Sequence, residues 1–247
     1  MSGLKLVHPE WPAAAAVSAF STTRLGGFSE GPWQSLNLGQ HCGDDPGAVR
    51  ANLTRLEEQL PFAPLWMRQV HGIHVLDDDD GPEVQEADAR VTSRRGMVLA
   101  VLTADCLPVL LSDRQGEVVG LAHAGWRGLA GGVIQATVAR MGIQASRLLA
   151  WLGPAISGPA YQVGDEVRSA FAASPAASHS RLLAAFTPDG ARWRFDLYAA
   201  AREILTSLGV EAIYGGEFCT FTDSARFFSY RRDGVTGRMA SLIWLNR

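Results

Sequence analysis

Two apolar runs, Val98 to Leu102 and Leu148 to Leu152, most constrain the fold of this 247-residue chain. Neither run alternates apolar with polar residues, as a strand with one solvated face would. A strand without alternation buries both of its faces, so other elements must cover each run from above and from below. The chain therefore requires a layered fold in which sheets lie inside.

Further strand-like runs show how these layers are connected. They lie at 17–22, 65–70, 97–102, 107–111, 117–122, 148–152, 210–214, 226–230 and 239–245. Because several of them succeed one another after residue 60 before the next long helix, a strict alternation of strands and helices is excluded. The pattern predicts an α+β fold with mixed sheets sandwiched by helices. No internal repeat or linker is present, and the length alone allows one large domain or two small ones.

Four helices are predicted from their caps and apolar spacing. One begins at Asp44-Asp45-Pro46, where an N-cap precedes a proline in the first turn. A second follows Gly128 and ends at Gly142, a residue type that tolerates the left-handed conformation. A third begins at Gly164-Asp165-Glu166, and a fourth runs from Asp196 to Gly209.

Composition excludes several classes of partner. A net charge of −3 and a pI near 6.1 give no basis for binding nucleic acid or an anionic membrane. No apolar stretch is long enough to span a bilayer, and the start lacks the pattern of a secretory signal. The three cysteines (Cys42, Cys106 and Cys219) form no CxxC pair, so we expect a cytoplasmic protein with reduced thiols.

Three residues stand where apolar segments break into small and polar residues, which is where sites are usually built. Cys106 lies in Thr103-Ala104-Asp105-Cys106-Leu107-Pro108, His123 in Ala122-His123-Ala124-Gly125, and His71 after the segment 65–70. Two imidazoles and a thiolate match the three-ligand shell of a catalytic zinc with an open fourth position. Taken singly, each is as compatible with a core or loop residue, and His74 competes with His71.

Polar residues beside glycines suggest an anionic or polar substrate. Arg24 precedes Gly26-Gly27, Asn37 lies among apolar anchors, and Gln69 precedes His71 by two positions. Arg127 stands at a helix start, and Arg231 lies beside Arg232 next to an aromatic residue. Each arginine alone is more typical of a surface salt bridge, but together they could bind a phosphate bidentately.

At these motifs the chain resembles the YfiH family, also described as the laccase-domain or multicopper polyphenol oxidase family. The family includes purine nucleoside phosphorylases and a peptidoglycan editing factor. The matching motifs occur in the family's order and cover essentially the whole chain, which makes the resemblance specific. They are Ser21-Thr22-Thr23-Arg24-Leu25-Gly26-Gly27, Ser35-Leu36-Asn37-Leu38-Gly39, Gln69-Val70-His71-Gly72, Thr103-Ala104-Asp105-Cys106-Leu107-Pro108-Val109, His123-Ala124-Gly125-Trp126-Arg127-Gly128, Gly153-Pro154-Ala155-Ile156 and Phe228-Ser229-Tyr230-Arg231-Arg232-Asp233.

The resemblance implies a single domain over residues 1–247, folded as a four-layer α/β/β/α sandwich. It also implies a zinc site on His71, Cys106 and His123. It further implies phosphorolysis of adenosine, inosine, guanosine or methylthioadenosine, together with deamination of adenosine. One departure is Asn52-Leu53, where similar relatives often have Asn-Arg, so that Arg55 or another residue must substitute if that arginine binds phosphate.

On this hypothesis the substrates are a purine nucleoside and phosphate. The phosphate-binding residue is Arg24, Arg127 or Arg231, which would place phosphate against the ribosyl carbon. The sugar or the base would be held by Asn37 and Gln69. Asp105 would accept a proton, as a catalytic residue beside the three metal ligands.

Three alternatives stay open at this stage. Cys106 and His123 could form a nucleophile and base that release an amino acid from a muropeptide precursor without metal. Copper could replace zinc and support phenol oxidation, although six histidines are few for a multicopper enzyme. The chain could also be a binding module without turnover. For its oligomeric state we expect a monomer or a weak homodimer.

Overall fold

The computed structural model describes residues 3–174 and 181–247. The strands within these ranges are β1 Leu6–Val7, β2 Val17–Thr22, β3 Pro64–Leu65, β4 Val75–Leu76, β5 Ala89–Thr92, β6 Val98–Thr103, β7 Leu107–Asp113, β8 Val119–Ala124, β9 Leu148–Leu152, β10 Gln162–Val163, β11 Phe186–Asp189, β12 Arg192–Phe195, β13 Ala212–Gly215 and β14 Met239–Leu245. The α-helices are α1 Pro46–Glu57, α2 Trp126–Gly131, α3 Val133–Met141, α4 Asp165–Ala172, α5 Leu197–Ser207 and α6 Tyr230–Asp233.

Two mixed sheets form the centre of the molecule. The six-stranded sheet has the order β13-β9-β7-β8-β5-β4, with β7 antiparallel to both of its neighbours and parallel pairs at both edges. The five-stranded sheet has the order β1-β2-β14-β6-β3, and only its β3–β6 pair is parallel. Strands β10, β12 and β11 make a small antiparallel sheet beside them.

Apolar side chains fill three layers around these sheets. Between the two sheets, Leu99 and Ile243 from one pack against Leu110 and Trp151 from the other. The outer face of the six-stranded sheet is covered by α2, α3 and α5, and the outer face of the five-stranded sheet by Leu56 of α1 and its neighbours. The arrangement confirms the predicted mixed α/β fold with an α/β/β/α order of layers.

Two local predictions were wrong, each for an identifiable reason. The segment 65–70 leaves the sheet after Leu65, because the Gln69 side chain bonds the backbone of Leu102 in place of a strand partner. The segment 226–230 is no strand, because the Ser229 side chain caps the first turn of α6. The predicted second helix is confirmed as α3, which ends at Gly142 in the left-handed conformation. A short helix that was not predicted, α2, precedes it, and Gly132 with a φ of 105° lies between the two.

The chain path brings three segments to one end of the sandwich. Strand β6 of one sheet ends at Thr103, and β7 of the other begins at Leu107, so Asp105 and Cys106 lie where the chain crosses between the sheets. Strand β8 ends at the same place, since Leu107 is paired with Ala124. The candidate residues therefore converge at a crossing between sheets, where backbone groups leave regular pairing.

Tyr198 of α5 fastens two loops at this end. Its buried hydroxyl accepts a hydrogen bond from the Ala155 N–H at 2.8 Å and lies 3.0 Å from the carbonyl oxygens of Gly153 and Phe218. Replacing this hydroxyl by hydrogen leaves buried backbone groups without a partner, which is costly.

We therefore expect Tyr198→Phe to lower the free energy of unfolding by about 1–3 kcal/mol. Urea denaturation measures the change. The matched control is Tyr214→Phe on β13, where the ring is half-buried, and the change there should stay within about 0.5 kcal/mol. Equal effects of the two variants would contradict the fastening role of Tyr198.

Candidate metal centre

The three predicted ligands meet in the structure. His71, Cys106 and His123 each offer one donor atom, and these atoms lie within 4.8 Å of one another. The Cys106 Sγ is 3.9 Å from the His71 Nε2, and the two imidazole rings are 4.9 Å apart in an edge-to-face arrangement. His71 is exposed, Cys106 is half-buried and His123 is buried, so the cluster opens to solvent on the His71 side.

Asp88 fixes two of these residues at once. Its buried carboxylate lies 2.8 Å from the His123 Nδ1. The Nε2 is therefore the nitrogen of that ring that remains available to coordinate a metal. The same carboxylate accepts hydrogen bonds from the backbone N–H groups of Val70, His71 and Gly72 at 3.1, 2.9 and 2.7 Å. A carboxylate that orients an imidazole in this way is typical of the outer shell of metal sites.

Asp88 was not among the predicted site residues, although the sequence carries a signal for it. Ala87-Asp88-Ala89 places a carboxylate at the start of the buried strand β5. A charge enters such a position only with partners that satisfy it, so the residue itself pointed to a buried network.

Two ligand-bearing turns have unusual backbone conformations. His71 has a φ of 61° and Asp105 a φ of 95°, both in the left-handed region that residues with a side chain rarely adopt. Each such residue costs about 1–3 kcal/mol and occurs where the surrounding structure holds it, often at functional sites. Here the two turns aim the His71 ring and the neighbouring Cys106 thiol at one point.

Gly125 keeps the centre open. A Cβ atom at this position would lie 2.9 Å from the His71 Cδ2 and 3.0 Å from the Cys106 Sγ. Both distances are too short for ordinary packing, so any side chain here would press on two of the three donors. Steric crowding therefore explains why a glycine, and not a residue with a side chain, stands between Ala124 and Trp126.

The charges of the cluster favour a thiolate beside an imidazolium when no metal is bound. Burial opposes the thiolate, but the adjacent His123 and the hydrogen bonds of both imidazoles lower the pKa of Cys106. Burial also opposes the imidazolium, yet the Cys106 charge and the Asp88 carboxylate raise the pKa of His123. Since metals bind thiolates and not thiols, a lowered pKa of Cys106 makes its sulfur available as a ligand.

The donor set fits one divalent ion. Two imidazole nitrogens and a thiolate sulfur are the ligands that zinc takes in sites with an open position. No other group of three such donors occurs among residues 3–174 and 181–247. A site for several coppers therefore does not fit the described part of the chain.

Most of the remaining predicted site residues make hydrogen bonds to other parts of the protein, and Asp105 is the first of them. Asp105 is buried, and its two carboxylate oxygens accept from the Thr220 hydroxyl at 2.6 Å and the Arg231 N–H at 2.7 Å. These bonds hold the β6–β7 crossing against the loops that carry Thr220 and Arg231.

Both predicted amides act on backbone groups. The Gln69 side chain donates to the Leu102 carbonyl at 2.8 Å and accepts from its N–H at 2.7 Å. Asn37 is fully buried, with its oxygen accepting from the N–H groups of Gly39 and Arg238 and its nitrogen donating to Asp44. Both side chains thus hold backbone segments together.

The three predicted arginines differ in what they leave for a ligand. Arg24 donates to the carbonyl oxygens of Gln34 and Ser224 and lies over the Phe228 ring. Arg231 donates one bond, to the Gln162 carbonyl, and lies over the Tyr161 ring. Arg127 stacks on Trp126 at 4.3 Å, and within the described ranges its guanidinium makes no hydrogen bond or ion pair.

The fold and the centre define a class: a mixed α/β sandwich with a His–Cys–His donor set at the crossing between its sheets. Over residues 18–246 the chain matches the family described as multi-copper polyphenol oxidoreductase laccase. The chain therefore belongs to this family, which confirms the resemblance carried by the motifs.

Individual relatives agree with this assignment. The protein named purine nucleoside phosphorylase PA4543 from Pseudomonas aeruginosa is 51% identical over 239 residues, covering 96% of this chain and 97% of the relative. Purine nucleoside phosphorylase YfiH from Escherichia coli is 50% identical over 244 residues, covering 98% and 99%. The crystal structure of Neisseria meningitidis protein NMB0706 is 46% identical, with a TM-score of 0.93 and coverage of 98% and 99%.

Within the described residues, no helix combines the length and the apolar composition that a membrane crossing requires.

Replacing Asp88 tests the support of the centre. We expect Asp88→Asn to weaken zinc binding by about 10-fold to 100-fold, because the His123 ring loses its charged partner. Competition with a chromogenic chelator measures the affinity. The control is Asp79→Asn, an exposed acid of the 77–80 turn, which should bind zinc as the wild type does. Unchanged zinc affinity in Asp88→Asn would contradict the orienting role.

A methyl group at residue 125 tests the space between the donors. We expect Gly125→Ala to fold but to lose most of its zinc affinity, because its Cβ would press on His71 and Cys106. Zinc content after dialysis and far-UV circular dichroism measure the two properties. Gly3→Ala is the control, since nothing lies within 4 Å of a Cβ there. A Gly125→Ala protein that retains stoichiometric zinc would show that the donors do not share an ion as inferred.

Proposed function

We propose that the protein is a zinc-dependent purine nucleoside phosphorylase. The observation that carries the proposal is the meeting of the His71, Cys106 and His123 donor atoms within 4.8 Å, beside the exposed Arg127. The names of the 51% and 50% identical relatives support this substrate class.

Zinc would be held by His71, Cys106 and His123, and when bound it supplies a positive charge at the open side of the cluster. Asp88 keeps the His123 ring in the tautomer that presents Nε2, and its bonds to the 70–72 backbone keep His71 in place. The protein thereby preorganises the centre, so little rearrangement is needed when substrate arrives.

Phosphorolysis requires that phosphate be held against the ribosyl carbon. An oxygen of hydrogen phosphate forms the bond to C1′ while the bond from C1′ to the purine nitrogen breaks. The electron pair of the broken bond stays on that nitrogen, which takes up the proton that the hydrogen phosphate loses. The three candidate arginines differ in how many N–H groups they have available for phosphate. Among the described residues, Arg127 makes no hydrogen bond with its guanidinium, and Arg231 makes one, to the Gln162 carbonyl. Arg24 uses its guanidinium to hold the loops of Gln34 and Ser224.

The base would lie on apolar surface next to the cluster. Val70 and Ile73 flank His71 in sequence and are 49% and 48% exposed. Exposed aliphatic side chains beside a polar centre are typical of ligand pockets, which are mostly apolar with few polar groups. In this proposal they replace the contacts first expected from Asn37 and Gln69.

The same site would also deaminate adenosine. In that reaction the oxygen of water adds at C6 of the purine and ammonia leaves, so adenosine and water give inosine and ammonia. We propose adenosine, inosine, guanosine and methylthioadenosine as the phosphorolysis substrates.

Asp105 is the nearest carboxylate in sequence to the cluster. Its two oxygens already accept hydrogen bonds from the protein, so we assign it a positioning role.

Amide hydrolysis is a second candidate, and one observation favours it. Cys106, His123 and Asp88 form a chain in which a lowered thiol pKa adjoins an imidazole paired with a carboxylate. This is the arrangement of a cysteine nucleophile with its base and orienting acid. Removal of zinc by a chelator should abolish phosphorolysis, but it should leave a cysteine hydrolase of muropeptide precursors active.

Copper and location complete the proposal. One three-donor cluster could hold a single Cu²⁺, which binds such sites more tightly than zinc, so we regard phenol oxidation as a side activity of a copper-loaded protein. We propose a cytoplasmic location, which the lack of a CxxC pair among Cys42, Cys106 and Cys219 supports. We propose a monomer or weak homodimer.

Cys106→Ala tests the proposed function. We expect it to lose stoichiometric zinc and at least about 100-fold in phosphorolysis, because two imidazoles alone hold the ion weakly. Mass spectrometry of ribose 1-phosphate and free base, with and without phosphate, measures turnover. Cys42→Ala is the control, because Cys42 lies outside the cluster. Full zinc content and full turnover in Cys106→Ala would refute the proposal.

A further inference from the structure

Tyr161 lies beside the metal centre and was not among the predicted site residues. It follows the loop after β9, and its ring is 9% exposed. The ring packs against Phe195 with centroids 5.9 Å apart, its N–H donates to the Gly158 carbonyl, and its carbonyl accepts from the Phe195 N–H at 2.9 Å. Core packing and backbone bonds therefore hold this side chain in one place.

The phenol hydroxyl of Tyr161 has no protein partner among the described residues. It is not one of the fully enclosed polar atoms that lack a partner, so its O–H is open to water or to a ligand. Arg231 lies over the same ring at 4.9 Å, and the Arg231 N–H donates to Asp105, the neighbour of Cys106. The contacts thus run from Tyr161 to the Cys106 segment.

Charge effects agree with this placement. Burial is the largest cause that raises the pKa of Tyr161, and the negative charge of Cys106 is the next. Arg231 and Arg127 act in the opposite sense, so both guanidiniums are close enough to influence the phenol. Tyr161 therefore stays neutral at neutral pH and offers its O–H as a donor.

We propose that the Tyr161 hydroxyl, with the guanidiniums of Arg127 and Arg231, forms an oxyanion subsite that binds the phosphate of the reaction beside the metal centre. Neither arginine has an ion-pair partner among the described residues, and the charges of both act on the Tyr161 phenol, so two positive charges lie near one neutral donor. An anion with several oxygens satisfies all three groups, and phosphate has this geometry. The assignment rests on the proposed function for the reaction, but the subsite itself requires only phosphate.

The substitution Tyr161→Phe tests the subsite, because it removes the hydroxyl and keeps the ring against Phe195. In the zinc-loaded protein we expect the KM for phosphate in inosine phosphorolysis to rise roughly 10-fold to 100-fold, the usual effect of losing a hydrogen bond to a charged group. The KM for inosine, the zinc content and the melting temperature should stay near the wild-type values. A merely structural role of Tyr161 would instead lower the melting temperature and leave the KM for phosphate unchanged.

The matched control is Tyr230→Phe, which removes a hydroxyl from the exposed tyrosine next to Arg231. It should leave the KM for phosphate as it is in the wild type.

Direct binding separates the subsite from the reaction. Inorganic phosphate is titrated into the zinc-loaded wild type and Tyr161→Phe in a calorimeter, with no nucleoside present. Weaker binding by the variant supports the subsite, even if the wild type turns over no nucleoside, in which case the proposed function fails and the subsite stands. Equal binding by the two proteins, or no binding by the wild type at millimolar phosphate, overturns the subsite whatever the turnover.

Discussion

The site depends on one buried carboxylate. Asp88 accepts hydrogen bonds from the backbone N–H groups of residues 70–72 and is hydrogen-bonded to the His123 ring. A single side chain therefore sets the positions of two imidazoles that are far apart in sequence. Burial disfavours the charge of this carboxylate, yet the bonds from His123 and from the backbone of Gly72 and Val70 keep its pKa lowered. The hydrogen bonds thus outweigh desolvation, and the ionised form is the one that holds the turn of His71 and the tautomer of His123.

The fold makes this convergence possible because the chain crosses between sheets at the site. Strand β6 belongs to the five-stranded sheet and β7 to the six-stranded sheet, so the residues between them belong to neither ladder. Asp105 adopts its left-handed conformation there, and Cys106 follows it with its thiol half-exposed. The two apolar sheets on either side bury most of their residues, which gives these short turns a rigid support.

Sequence patterns predicted the covered sheets and marked His71, Cys106 and His123 as candidates, because both leave local signals. The choice of His71 over His74 came from the family resemblance. Apolar runs without alternation indicate covered sheets, and the breaks after Val70, around Cys106 and at His123 indicate sites at strand ends. The sequence showed little of what depends on long-range geometry. The Gln69 side chain is hydrogen-bonded to the backbone of Leu102, 33 residues away, and this contact ends a predicted strand. The Asn37 side chain accepts a hydrogen bond from the N–H of Arg238, 201 residues away. No local pattern reports such partners, and for the same reason Tyr161 was not distinguished from a core aromatic.

The conformation of His71 favours an ion over a purely nucleophilic role for Cys106. A cysteine nucleophile needs one imidazole as its base, and His123, oriented by Asp88, already meets that need. A second imidazole in the left-handed region, at a cost of about 1–3 kcal/mol, would then have no purpose. The second imidazole has a purpose if three donors must converge on one metal ion. In that case the left-handed turn at His71 and the hydrogen bond from its N–H to Asp88 both hold the ring in position for the ion. The absence of a side chain at Gly125 is explained in the same way, since a Cβ there would press on the His71 ring and the Cys106 sulfur together.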